Sequence, residues 1–163
     1  MVETPRRLVR FSTNVSDAIM QYCFSFLILL FAVHSVEAIE ISPGVIRTPD
    51  SQFEDLEDYP FAPNYMQIQG LRVHYLDEGP KDANPVFLLH GLPTWSYLFR
   101  TMIPVLTEAG HRVIVPDLVG FGKSDKFVSK HEYSYEHHID VMKELVKRLD
   151  LSEVTFFGQD WGG

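Results

Sequence analysis

The sequence predicts an α/β fold built on a doubly wound, mostly parallel sheet. Three short stretches point to it. Residues 86–89, 113–115 and 154–157 are apolar almost without a break, Thr155 being the exception. A strand with no polar face is one buried on both sides, as in a parallel sheet. Helical patterns separate these stretches, so the order reads strand, helix, strand, helix, strand. Hydrophobic residues make up 45% of the 163 positions, enough to build a core and to exclude general disorder.

The elements follow in order. Residues 1–38 carry Arg6, Arg7 and Arg10, then an apolar run over 22–33, then Val36-Glu37-Ala38. A basic start, an apolar middle and a small-x-small end are the parts of a secretory signal. The run is short of the ~20 residues that a membrane span needs. Residues 1–38 are therefore expected to be a signal peptide or a membrane anchor. The product would be secreted or periplasmic, or cytoplasmic if the start is misassigned, with membrane contact only through this segment. Residues 39–64 are rich in Pro, Asp and Glu and are expected to be an irregular lead-in, its acidic run over 50–58 solvated. A hairpin follows, with strands at 66–69 and 71–77 around Gly70. Leu71, Val73 and Tyr75 alternate with Arg72 and His74, the pattern of a half-exposed strand.

The first helical segment, 96–109, ends at Gly110, and Pro104 must kink it or start a new turn. In the second, Ile139, Met142, Leu145, Val146 and Leu149 share one face, and Ser134 can cap its start.

Charge and cysteine content narrow the function. The net charge is −8, all of it after Ala38, which excludes a nucleic-acid backbone as partner. One cysteine excludes an intrachain disulfide framework.

In sheets of this kind ligands bind at the carboxyl ends of the strands, where three clusters fall. The first is His90-Gly91-Leu92-Pro93-Thr94-Trp95-Ser96. Its turn can aim backbone N–H groups at developing negative charge, with His90 structural and Trp95 a packing residue. The second runs from Asp117 to Asp125 and holds Gly120 and Gly122. It lacks phosphate-loop spacing, so these glycines turn the backbone. The third is Gly158-Gln159-Asp160-Trp161-Gly162-Gly163. Small-x-nucleophile-x-small after a strand is a nucleophile elbow, a sharp turn that exposes its central side chain. A carboxylate at that place can displace a leaving group from an alkyl carbon and form an ester on the enzyme. The competing role for Asp160 is a helix N-cap.

These three clusters, with Arg47-Thr48-Pro49-Asp50 and Tyr59-Pro60-Phe61, resemble haloalkane dehalogenases of the α/β-hydrolase fold over residues 46–163. The resemblance implies that 65–163 is the amino-terminal part of that domain, truncated after the elbow. It implies Asp160 as nucleophile and the Trp161 indole N–H as halide donor. The backbone N–H groups of Leu92 and Trp161 would form the oxyanion hole. Leu92 offers no side-chain halide donor, which points to the subgroup whose second donor is a Trp of the cap domain. The substrate would be a small apolar halogenated molecule, with water as co-substrate and no metal or organic cofactor. The family's general-base His, its orienting acid and its cap lie downstream of the elbow. His74, His111, His131, His137 and His138 are poor substitutes, because the base comes from a later strand end. The chain alone is therefore expected to be inactive over repeated turnovers and to leave 154–157 as an apolar edge. An epoxide hydrolase of the same fold shares an aspartate elbow, and a non-catalytic truncated product is the alternative of another class.

Overall fold

The computed structural model describes residues 37–163. The signal or anchor expected at 1–38 falls, apart from its last two residues, outside the described residues. No helix among those described is long and apolar enough to cross a membrane.

Strands β3 (Asn64–Ile68), β4 (Leu71–Glu78), β5 (Pro85–Leu89), β6 (Arg112–Pro116) and β8 (Thr155–Gly158) form one mixed sheet. The spatial order is β3-β4-β6-β5-β8. β3 pairs antiparallel with β4, and β4 with β6. β5 lies parallel to both β6 and β8. The expected hairpin is present, and its turn residues Gln69 and Gly70 both have positive φ, the geometry that matches strand twist in a two-residue turn.

The unbroken apolar runs of β5 and β6 are explained by two cores, one on each face. Phe87 and Ile114 pack with Leu118, Val141, Met142 and Leu145. Val86, Leu88, Val113 and Val115 point the other way, onto Tyr59, Phe99 and Ile103. Helix α1 (Met102–Glu108) covers the second face and α2 (Tyr135–Arg148) the first. Leu145 has no exposed surface, so Leu145→Ala costs about 2–5 kcal/mol.

The helix punctuation follows the sequence. The Ser134 hydroxyl accepts the His137 N–H and starts α2. The chain breaks ahead of Pro104. A 3-10 turn, Ser96–Phe99, is followed by a new helix in whose first turn Pro104 sits, where an N–H would have no partner. At the other end Gly110 donates to the Thr107 carbonyl and His111 to that of Leu106, a Schellman closure.

Three expectations are corrected. The lead-in is not wholly irregular. β1 (Ile39–Ser42) and β2 (Val45–Arg47) form a hairpin, and β2 also pairs with β7 (Lys126–Phe127). Pro and acidic residues cluster only after Arg47, and before it Ile39 and Ile41 alternate with Glu40 and Ser42 as in a strand. Second, β4 is not half exposed. Arg72 and His74 are buried, because the 117–125 loop lies over that face and supplies polar partners. Third, β8 is not buried on both faces. Phe156 and Phe157 are about half exposed, since β8 has a neighbour on one side only among the described residues.

Candidate active site

The carboxyl ends of β5, β6 and β8 bring the three clusters together. The ladder between β5 and β8 runs in register to Leu89 opposite Gly158. Gln159 N–H extends it by one bond, to the Leu89 carbonyl. There the chain reverses. Asp160 has φ 55°, a left-handed conformation that costs a non-glycine residue about 1–3 kcal/mol. Residues on either side must be small. A Cβ on Gly158 would sit 2.6 Å from the Gly162 carbonyl oxygen, and one on Gly162 would collide with the Leu89 carbonyl. These contacts define the sharp elbow expected from the sequence, with Asp160 at its tip.

The carboxylate is exposed, and its Oδ1 accepts the Leu92 N–H at 3.0 Å. Asp160 therefore does not act as a simple N-cap, and the 3-10 turn Asp160–Gly162 begins without a side-chain cap. The Trp161 backbone N–H lies beside Gly91, 2.5 Å from where a Gly91 Cβ would be. It makes no hydrogen bond to Asp160 among the described residues. Trp161 is 64% exposed. It lines both a shallow pocket of about 510 Å³ shared with Asp160 and an adjoining cavity of about 830 Å³. The walls of the larger cavity include Phe87, Leu92, Phe121 and Phe156. The elbow thus presents a carboxylate and an indole at the edge of an apolar space.

The turn that carries Leu92 is held at three points. His90 has no exposed surface. Its Nε2 accepts the Leu118 N–H at 2.9 Å, so its Nδ1 carries the proton and donates to the Gly91 carbonyl at 3.0 Å. Burial holds the ring below the usual histidine pKa, although the Gly91 contact and Asp117 oppose it. Gly91 N–H donates to Gln159 Oε1 at 3.3 Å. At the far end Ser96 N–H donates to Asp117 Oδ1 at 2.8 Å. Trp95 packs on Phe53, Tyr59 and Tyr97, as a packing residue should.

Sequence reasoning missed the polar core behind this turn. Asp117 is fully buried, and its Oδ2 accepts hydrogen bonds from His74 Nδ1–H and the Lys123 N–H, both at 2.8 Å. Burial alone would raise its pKa, but the bonds from His74, Ser96 and Lys123 hold it below the ordinary carboxylate value. Asp125, also without exposed surface, takes both arms of Arg47 at 2.7 and 3.0 Å and the Arg72 N–H at 2.7 Å. Asp50, expected to be merely solvated, pairs with Arg72 at 2.9 Å. The available signal was two acids in one loop, Asp117 and Asp125, against Arg47 in β2 and Arg72 and His74 in β4. His137 and His138 have ring centroids 6.1 Å apart and rest on Phe127 and Tyr133. Among the described residues no group of three His, Cys, Asp or Glu is arranged to hold a metal ion.

A sheet whose fifth element enters such an elbow, beside a His-Gly turn, is the amino-terminal part of the α/β-hydrolase fold. Residues 84–163 match the family described as alpha/beta hydrolase fold. Within that fold the chain is similar to haloalkane dehalogenases. It is 56% identical over 124 residues to one from Psychrobacter cryohalolentis and 57% identical over 123 residues to one from Mycolicibacterium paratuberculosis. Those stretches cover 73% and 72% of this chain but 41% of each relative, so the chain spans well under half their length. Among solved structures, the tetrameric haloalkane dehalogenase DpaA from Paraglaciecola agarilytica superposes with a TM-score of 0.69 at 47% identity, over 78% of this chain and 42% of that one. An epoxide hydrolase from Vigna radiata superposes with a TM-score of 0.58 at 27% identity, over 63% and 32% respectively.

Proposed function

We propose that the protein carrying this chain hydrolyses small haloalkanes through an ester on Asp160. The observation that carries this is a carboxylate, rather than a hydroxyl, at the tip of the elbow, with one oxygen on the Leu92 N–H and the group open to the pocket. A carboxylate oxygen attacks the carbon bearing the halogen. The C–O bond forms as the C–halogen bond breaks, and the halide leaves with the electron pair. The Trp161 indole N–H meets the charge growing on the halide. Water then attacks the ester's carbonyl carbon and gives up a proton, and the alcohol leaves with the oxygen that belonged to Asp160. The Leu92 and Trp161 backbone N–H groups face the charge on the intermediate. The net change is haloalkane plus water to alcohol, halide and a proton.

A base must take the water's proton. His90 has both ring nitrogens engaged, and His74 is sealed against Asp117, so neither serves. By family resemblance the base comes from a strand end that follows the elbow. The chemistry itself calls for no metal or organic cofactor.

Epoxide opening is the second reading, favoured by the structural likeness to the Vigna radiata enzyme. The higher identity to dehalogenases weighs against it. One experiment separates them. The protein is offered a 1-haloalkane or a terminal epoxide in ¹⁸O-water, with enzyme in excess. Halide release with the label placed in Asp160 supports the dehalogenase. Diol from the epoxide without halide release supports the other enzyme, and no product from either rejects both. Export through residues 1–38 belongs to the same proposal. Amino-terminal sequencing of the native product should start at Ile39, and a cytosolic product starting at Met1 overturns it.

A further inference from the structure

We infer that Gln159 is a positioning residue, whose side-chain amide keeps the Leu92 N–H in register with the nucleophile; this rests on the proposed role of Asp160. The inference starts from the ladder between β5 and β8. Its last backbone rung is the Gln159 N–H on the Leu89 carbonyl. Beyond it the elbow turns away, because Asp160 is left-handed. The next N–H groups on the β5 side, those of Gly91 and Leu92, therefore meet no backbone carbonyl of β8. Side chains take over the ladder. Gln159 Oε1 accepts the Gly91 N–H at 3.3 Å, and Asp160 Oδ1 accepts the Leu92 N–H at 3.0 Å. Two successive side chains receive two successive N–H groups.

The two rungs differ in chemistry. The Asp160 rung changes in charge through the reaction, because its carboxylate becomes an ester and then a tetrahedral centre. The Gln159 rung is chemically inert and persists through every step. It can hold the turn while the charge on the neighbouring oxygen rises and falls. Gly91 has no slack of its own. A Cβ there would lie 2.5 Å from the Trp161 nitrogen, 2.6 Å from Asp160 Oδ1 and 2.6 Å from the Gln159 carbonyl. The turn and the elbow are already in contact at the backbone, so a small shift at Gly91 becomes a shift of the Leu92 N–H against the reacting oxygen. That N–H matters most when the ester carbonyl becomes an oxyanion, so ester hydrolysis depends on it more than the first displacement does.

The test is Gln159→Met, which keeps chain length and bulk and removes the acceptor. Two measurements are made on it and on the parent. Amide hydrogen exchange, read on the folded chain without substrate, should speed up at Gly91 and Leu92 on the order of tenfold and stay unchanged at Val86, Phe87 and Leu88. In the active protein, rapid-quench kinetics with a bromoalkane should show halide release in the first turnover nearly unchanged. Ester hydrolysis should slow on the order of tenfold, so the alkylated enzyme accumulates by mass spectrometry. Unchanged exchange at Gly91, or equal slowing of both steps with faster exchange throughout β5, overturns the inference. Failure of the proposed function looks different. The parent protein itself then gives neither halide nor alkylated Asp160, while the exchange result still decides whether the Gln159 rung exists.

Discussion

Asp160 and Asp117 follow two strands of one sheet, β8 and β6, with β5 between them, and they are held in opposite ways. Asp117 is sealed and receives three hydrogen bonds, from His74, Ser96 and Lys123. Asp160 is exposed and receives one, from Leu92. A sealed carboxylate with both oxygens engaged is a poor nucleophile and a good tether. One with an open oxygen beside an apolar pocket is free to react. The protein thus uses the same side chain twice. One copy fixes the turn that carries the Leu92 N–H, and the other receives that N–H. The strain is divided accordingly. Asp160 is held at positive φ by its packed neighbours, whereas Asp117 is held by bonds.

The largest test of this contrast is Asp160→Asn in the active protein. Halide release should fall on the order of 10⁴- to 10⁶-fold, as for loss of a nucleophile, with the thermal midpoint nearly unchanged. Turnover at the parental rate, without deamidation back to aspartate, sinks the assignment.

Asp117→Ala should do the reverse and act on the fold. It leaves the Ser96 and Lys123 N–H groups and His74 without their acceptor in a sealed site, costing about 3–5 kcal/mol. Chemical denaturation measures this, and a loss below about 1 kcal/mol removes Asp117 from the tether role. Acid should dissolve the same tether in two stages. Burial holds His90 below its ordinary pKa of 6.5, so the unfolded chain takes up that proton first. Stability is complete above pH 6.5 and declines as the pH falls below it. Asp117 and Asp50 are both held below the ordinary 3.8. Their contribution is present above that value and is lost as the pH falls through their lower folded values. Thermal midpoints should therefore start to decline below about pH 6.5 and drop again below about pH 3.8. His90→Gln should flatten the first slope, and an unchanged slope assigns it elsewhere.

Trp161→Phe probes the open side of the contrast. It removes one donor and keeps most of the ring, so turnover should fall about 10²-fold and halide affinity should weaken. Unchanged halide affinity takes the indole out of the halide site. The smallest effect is Asp160→Gly. Relief of the left-handed strain should stabilise the fold by about 1 kcal/mol, while Asp117→Gly should destabilise it severely. A destabilising Asp160→Gly means that the Leu92 bond outweighs the strain.

The sequence by itself determined the parts whose cause is local. Unbroken apolar runs specify strands buried on both faces, and β5 and β6 obey this. Ser134 caps a helix because a hydroxyl placed before it reaches an N–H three residues on. Gly158 and Gly162 mark the elbow because no other side chain fits its backbone contacts. Only the tertiary structure decided the rest, because it depends on which segments meet. Alternation in β4 carries the same pattern whether its polar side meets water or the 117–125 loop. Asp50 and Asp160 are equally acidic on paper, and one is paired with Arg72 while the other lies open in a pocket. Gln159 becomes a rung only because β8 ends beside the His-Gly turn, where a backbone reversal leaves the Gly91 N–H to be met by a side chain.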